Sequence, residues 1–203
     1  MTTDVAPPFV GLGLHGPTRP TWVGRALADL PALLADHASC ERKAAATAMA
    51  FVARHLDDVR LVESMVQLAQ EELAHFERIF HLMRRRGWPL SRDRADAYVR
   101  ALLDQVRHAP AMQTVDRLLV LGLVEARSCE RFRLLAAELE GTDDELSLLY
   151  QELSRSEEGH AHLFPALASR YAADGDVKAR LAELRTIEAA IVAALGDEPA
   201  MHG

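Results

Sequence analysis

Aromatic residues make up only 5% of this 203-residue chain, and no valine- or isoleucine-rich stretch alternates as a half-buried strand would. An all-β architecture is thereby excluded. Cysteine is nearly absent as well, with Cys40 and Cys129 the two present. Two thiols cannot build a disulfide framework or a four-cysteine iron centre, and free thiols suit a reducing cytosol. No apolar run approaches the roughly 20 residues that span a bilayer, so no membrane partner is expected. The start, Met-Thr-Thr-Asp with prolines following, lacks the basic-then-apolar order of a secretory leader. The expected setting is the cytoplasm.

What is present is helical composition: Ala, Leu, Arg and Glu dominate. The length fits one domain with a substantial core. Proline and glycine crowd the beginning, so residues 1–30 read as an N-terminal arm with a short helix from Trp22 to Leu30, and residues 31–203 as the body. Pro31 suits the first turn of a helix that runs to about His55. Leu56-Asp57-Asp58 breaks it. A second helix covers 59–86 and stops at Gly87-Trp88-Pro89. Ser91 is expected to cap a shorter helix over 92–107. Long helices then follow over 111–140 and 143–173, divided at Gly141, and a last one over 177–195. Four long helices in two hairpins, with a crossover helix between them and an extra C-terminal helix, make an all-α, ferritin-like four-helix bundle.

Net charge is −7, which argues weakly against a nucleic-acid partner, but the charge is unevenly spread. Residues 78–107 hold eight arginines against three aspartates, whereas residues 137–160 hold eight acids against Arg155 alone. One face should be basic and another acidic.

Two Glu-x-x-His elements carry the chemistry, Glu72…His75 and Glu157…His160. Positions i and i+3 share a helix face, so each pair points one way. That face is otherwise apolar: Leu61, Met65, Leu68, Ile79 and Leu82 around the first pair, Leu146, Leu149, Leu153, Phe164 and Leu167 around the second. A carboxylate on a core-facing stripe is costly unless paired or bound to metal. With 16 glutamates and nine histidines, about one such element is expected by chance, so the repetition matters more than either copy.

Each element also has an upstream glutamate. Glu41 precedes Glu72 by 31 residues and Glu125 precedes Glu157 by 32. In a helical hairpin, residues equidistant from the turn meet at one height. The midpoints fall at 56–57, on the expected break, and at Gly141 itself. Ser39-Cys40-Glu41-Arg42 recurs as Ser128-Cys129-Glu130-Arg131, which would nominate Glu130 instead. Glu130 lies roughly 140° round the helix from Glu125 and overshoots the turn symmetry, so Glu125 is preferred. His37, one turn before Glu41, is a candidate support for it. Glu158 and His162 share a polar face and read as solvent-exposed. Gly122 and Gly159, near the set, could open space for substrate or allow close helix packing. Glu41, Glu72, His75, Glu125, Glu157 and His160 together offer four carboxylates and two imidazoles, the donor set for two divalent iron or manganese ions with positions left open for dioxygen. Glu72 and Glu157 are the expected bridging ligands.

Four segments resemble one family. Pro-Thr-Arg-Pro-Thr-Trp-Val (17–23), Leu-Leu-Ala-Asp-His-Ala-Ser-Cys-Glu-Arg-Lys-Ala-Ala-Ala-Thr-Ala (33–48), Glu-Glu-Leu-Ala-His-Phe-Glu (71–77) and Glu-Ala-Arg-Ser-Cys-Glu-Arg-Phe (125–132) look like the tRNA hydroxylases called MiaE. The resemblance covers roughly residues 12–170. It implies a non-haem di-iron monooxygenase that hydroxylates the isopentenyl group of 2-methylthio-isopentenyladenosine in tRNA, with two iron ions, dioxygen as co-substrate and an external electron donor. The same six ligands carry over. A tRNA partner requires a local basic surface on an acidic protein, and Arg84, Arg85, Arg86, Arg92, Arg94 and Arg100 are the candidates. Trp88 is a candidate stacking residue. A monomer or small homo-oligomer is expected. The competing readings are a di-iron oxygenase for another small apolar substrate and a ferritin-like iron-handling protein.

Overall fold

The computed structural model describes residues 13–196 and 198–202, so the first twelve residues of the expected arm lie outside the described part. The described residues form seven helices and no strand: α1 (Pro20–Leu27), α2 (Leu30–Arg54), α3 (Val59–Arg85), α4 (Ala97–Leu103), α5 (Pro110–Leu139), α6 (Asp144–Ala168) and α7 (Asp174–Ala194). No helix among them is long and apolar enough to cross a membrane. They divide into two compact units.

Residues 25–95 and 198–201 make the α2/α3 unit. Asp29 caps α2 by accepting a hydrogen bond from the Ala32 N–H at 3.1 Å, and Pro31 occupies the first turn, where a missing N–H costs nothing. His55 ends α2. Asp58 opens α3 by accepting from the Leu61 N–H at 3.1 Å. The break therefore falls on the midpoint between Glu41 and Glu72. The hairpin buries one stripe from each helix, including Leu33, Leu34, Ala38, Ala45 and Ala48 of α2 and Leu61, Met65, Leu68, Ile79 and Leu82 of α3. The connection after α3 is tied back to α2 through Asp93, which accepts from Ser39 Oγ at 2.5 Å and from the Arg42 guanidinium at 2.5 and 2.6 Å. The Arg42 and Ser39 hydrogen bonds hold the Asp93 carboxyl down at about 2.

The expected helix over 92–107 is shorter than its sequence suggested. Asp96, not Ser91, is the N-cap, accepting from the Val99 N–H at 2.8 Å. Asp93 is already engaged with Arg42 and Ser39, which keeps 92–95 outside the helix. The second carboxylate oxygen of Asp96 meets His202 Nδ1 at 2.8 Å.

The other unit comprises residues 13–24, 96–196 and 202 of the described chain. Its centre is the α5/α6 hairpin. The turn is at Gly141, whose φ of +75° is a left-handed conformation that suits glycine. Asp143 caps α6 by accepting from the Leu146 N–H, and Ser147 donates to the Ala136 carbonyl across the hairpin at 2.7 Å. α5 is buried at nearly every position from Val115 to Phe132, because α6 covers one side and α4 and α7 pack on it too. α6 ends at Ala168, five residues short of the expected 173, just after Pro165. At Gly122, a Cβ would lie 3.1 Å from Phe164 Cβ and 3.3 Å from Pro165 Cδ, so this glycine serves close helix packing. Gly159 is exposed and faces open space, and serves neither packing nor a cavity.

Asp116, with its side chain wholly buried in α5, joins three elements of this unit. It accepts from the Arg107 guanidinium at 2.6 and 2.9 Å and from Arg180 of α7 at 3.0 Å. Burial alone would raise the Asp116 pKa; the hydrogen bonds from Arg107 and Arg180 overcome it, and the group stays below the ordinary carboxylate value. Replacing Asp116 by Ala removes the carboxylate shared by Arg107 and Arg180, leaves Arg180 only Glu183 and the Gln105 carbonyl, and should lower the unfolding free energy measured in urea by about 2 kcal/mol. The sign with pH follows from the lowered value. Asp116 contributes stability above the unfolded pKa of about 4, and that contribution is lost as pH falls through the folded value. Asp116→Asn should therefore flatten the acid limb of the stability curve relative to wild type.

Candidate metal centre

Each unit presents one Glu from its first long helix and one Glu-x-x-His from its second. In the α2/α3 unit, ligand atoms of Glu41, Glu72 and His75 lie within 4.8 Å of one another. His75 Nδ1 is 3.5 Å from a Glu41 oxygen and 3.8 Å from a Glu72 oxygen. All three residues are buried, Glu72 to 1% exposure. His37, one turn before Glu41 and equally buried, places Nε2 2.6 Å from Glu41 Oε1 and so fixes that carboxylate's orientation. The sequence left open whether His37 supports Glu41 or is simply partly buried; in the structure it is buried and bonded to Glu41.

In the α5/α6 unit, ligand atoms of Glu125, Glu157 and His160 likewise fall within 4.8 Å of one another. His160 Nδ1 is 3.0 Å from Glu157 Oε2. All three are buried. Glu158 and His162 are turned to the outside, with Glu158 paired to Arg133 at 2.9 Å. Hairpin symmetry explains both groupings. Residues equidistant from a turn reach the same height, and i, i+3 spacing puts the histidine beside its glutamate.

The donor chemistry of both clusters fits divalent iron or manganese. Each offers carboxylate oxygens and an imidazole nitrogen in an apolar, water-poor setting. The nearby thiol does not join them. Cys129, one turn after Glu125, donates its S–H to the Ser154 carbonyl at 3.0 Å, and burial pushes it up to about 12.

Glu130 has a different role. It accepts from Thr18 N at 2.8 Å and Thr18 Oγ1 at 2.7 Å, and pairs with Arg127 inside the helix. Arg127 in turn holds Glu188 of α7 through Nε and Nη2 at 2.8 and 2.9 Å, and Tyr98 Oη donates to the same carboxylate at 3.0 Å. Desolvation and the neighbouring Glu188 hold the Tyr98 phenol well above its ordinary pKa. Arg131 lies over the Trp22 ring at 4.6 Å; burial and the neighbouring Arg127 lower its pKa to about 10. The repeated Ser-Cys-Glu-Arg motif thus has two uses. Its first copy gives Glu41 to a metal-type cluster while Ser39 and Arg42 bind Asp93. Its second copy anchors the segment around Thr18 and Trp22. Sequence reasoning did not find this network; the Thr18 and Trp22 segment was its only trace.

Of the six candidate arginines, Arg84, Arg85, Arg92 and Arg94 are exposed in the α2/α3 unit, and Arg100 is exposed on α4 of the other unit. Arg86 is half-buried with its guanidinium 5.3 Å from the Trp88 ring centre, so that ring already carries a cation on its face.

The family model MiaE, described as tRNA-(MS[2]IO[6]A)-hydroxylase, matches residues 8–203. A tRNA 2-(methylsulfanyl)-N(6)-isopentenyladenosine(37) hydroxylase from Pseudomonas putida is 39% identical over 196 residues, covering 96% of this chain and 94% of that protein. The enzyme of the same name from Salmonella typhimurium is 30% identical over 228 residues, covering 88% and 83%. Among solved structures, protein 43 with aldehyde deformylating oxygenase activity from Synechococcus matches with a TM-score of 0.87 and 36% identity, over 94% of this chain and 95% of that one. The fold is accordingly all-α and of the ferritin-like class.

The two glutamates of α5 should separate on substitution. Glu130→Ala leaves Arg127 with one carboxylate fewer in a dry site and should lower the unfolding free energy of metal-free protein by about 3 kcal/mol in urea. Glu125→Gln relieves crowding with Glu157 and should leave that stability unchanged or higher.

Proposed function

The chain belongs to the MiaE family of tRNA hydroxylases, and on that premise we propose that it hydroxylates the isopentenyl group of 2-methylthio-isopentenyladenosine in tRNA as a non-haem di-iron monooxygenase. The observation that carries this is the pair of buried clusters, Glu41/Glu72/His75 and Glu125/Glu157/His160, each with the same composition and the same helix placement. Together they would hold two iron ions, and the two compact units would act as one domain. Four carboxylates carry about −4 and balance two divalent cations, which accounts for acids tolerated on apolar helix faces. When bound, the iron pair supplies the oxidising power that dioxygen alone lacks toward a C–H bond.

The protein's own groups do the rest. The histidines His75 and His160 act as neutral nitrogen donors. His37 keeps Glu41 in one orientation, so that the same oxygen always faces the metal side. Leu68 and Ile79 in one unit, and Leu153 and Phe164 in the other, keep bulk water from their clusters and limit wasteful oxidation. Hydroxylation places one dioxygen atom in the substrate and the other in water. It consumes two electrons and two protons, so an external electron donor is required. Arg84, Arg85, Arg86, Arg92, Arg94 and Arg100 would supply phosphate contacts on a protein whose net charge is −7. The setting is the cytoplasm, where tRNA is, and the working form is a monomer or small homo-oligomer.

The likeness to the Synechococcus protein favours one second reading, oxygen chemistry on a small apolar aldehyde. A single experiment separates the two. Iron-loaded protein with reductant and dioxygen should convert isopentenylated tRNA to its hydroxylated form by nucleoside mass spectrometry; inert tRNA with consumption of a fatty aldehyde would overturn the tRNA assignment. Iron content should be about two per chain. Glu125→Ala and His160→Ala should lose iron and activity while keeping their helical circular-dichroism signal.

A further inference from the structure

α3 carries two apolar stripes, and only one is used in its hairpin. Leu68, Ile79 and Leu82 face the core. On an adjacent face, Leu73 is 52% exposed, and Phe76 and Phe80 are only half-buried. With His81 and their neighbours they line a shallow, open groove of about 560 Å³. The Phe76 and Phe80 rings are nearly parallel, 7° apart with centres at 6.1 Å. The His81 imidazole stands beside Phe80 at 5.7 Å. Three ring systems held at a helix surface are costly in water unless something flat and apolar covers them.

The charge nearby says what that is. Residues 80 and 84 are one helical turn apart, so the ring face runs directly into Arg84, with Arg85 beside it. From 84 to 94 the chain has five arginines and a single acid, Asp93, which is already bonded to Arg42 and Ser39. Glu77, the acid on the ring face itself, lies 3.5 Å from His81. Ring faces next to concentrated positive charge suit a single-stranded nucleic acid, with bases on the rings and phosphates on the guanidiniums. Trp88 is a poorer stacking surface because Arg86 lies over it.

We infer that the Leu73/Phe76/Phe80/His81 face stacks unpaired bases of the tRNA substrate that flank the modified nucleoside, while Arg84 and Arg85 hold the adjoining phosphates. This rests on the tRNA reading above. The test uses iron-loaded full-length protein and an anticodon stem-loop RNA with isopentenylated adenosine and 2-aminopurine at a flanking loop position. Wild-type protein should quench the 2-aminopurine on binding. Phe76→Leu/Phe80→Leu keeps apolar bulk but removes the ring faces. It should retain iron and helical signal, lose the quenching and bind at least ten-fold more weakly. Arg84→Ala/Arg85→Ala should reduce the slope of log affinity against log salt by about 1.4, two phosphate contacts' worth. Leu56→Ala, an exposed apolar change in the same unit, should bind as wild type does. Wild-type affinity and quenching in the double Leu variant would overturn the inference. So would a shift of that variant from dimer to monomer with RNA binding unchanged, which would assign the face to a second copy of the chain. Failure of wild-type protein to hydroxylate any tRNA would instead overturn the functional reading, so the two failures are distinguishable.

Discussion

A charge taken out of water must find a partner, and this requirement orders most of the structure. α5 alone buries Asp116, Glu125, Arg127, Glu130 and Arg131. Three buried carboxylates in its unit are met by arginine: Asp116 by Arg107 and Arg180, Glu130 by Arg127, and Glu188 by Arg127. Those contacts tie α7, the stretch before α5 and the segment around Thr18 to one helix. The remaining buried glutamates are instead grouped with imidazoles. An arginine would neutralise a carboxylate permanently, whereas a neutral histidine leaves it available to a cation. The buried carboxylates thus fall into two groups according to which base each one meets.

The same division explains what the sequence could and could not disclose. Helix order and both hairpin turns were legible because they depend on local signals: Asp58 and Asp143 as caps, Gly141 as a left-handed turn. Glu41, Glu72, Glu125 and Glu157 could be selected because turn symmetry relates residues about 30 apart in a hairpin without knowledge of the rest. Glu130 could be set aside on helix phase, but its actual partner, Thr18, is 112 residues away and leaves no periodic trace. The shortened α4 was missed for a related reason. Ser91 is a good cap by type, yet Asp93 is bonded to Arg42 and Asp96 to His202, both distant in sequence. Gly122 was ambiguous until Phe164 and Pro165 were seen against it.

Net acidity and a tRNA substrate are compatible once charge is considered locally. Several acids are internally compensated and contribute little to the field outside. The arginine-rich run lies at the end of α3 and in the connection after it, where Asp93, the one acid between residues 84 and 94, is bonded to Arg42 and Ser39. A long-range field of −7 would repel nucleic acid at low salt, but at physiological ionic strength it decays within about 8 Å, leaving contact-range arginines to decide binding.

Cys129 gives the molecule a form of durability. It stands one helical turn from Glu125, and cysteine is among the side chains most readily oxidised. Oxidation requires the thiolate. Burial pushes its pKa up to about 12, so it stays a thiol at neutral pH, and its hydrogen atom is engaged by the Ser154 carbonyl. The fold thus keeps an oxidisable atom buried, hydrogen-bonded and protonated, so the thiol at that position should stay reduced without a dedicated repair step.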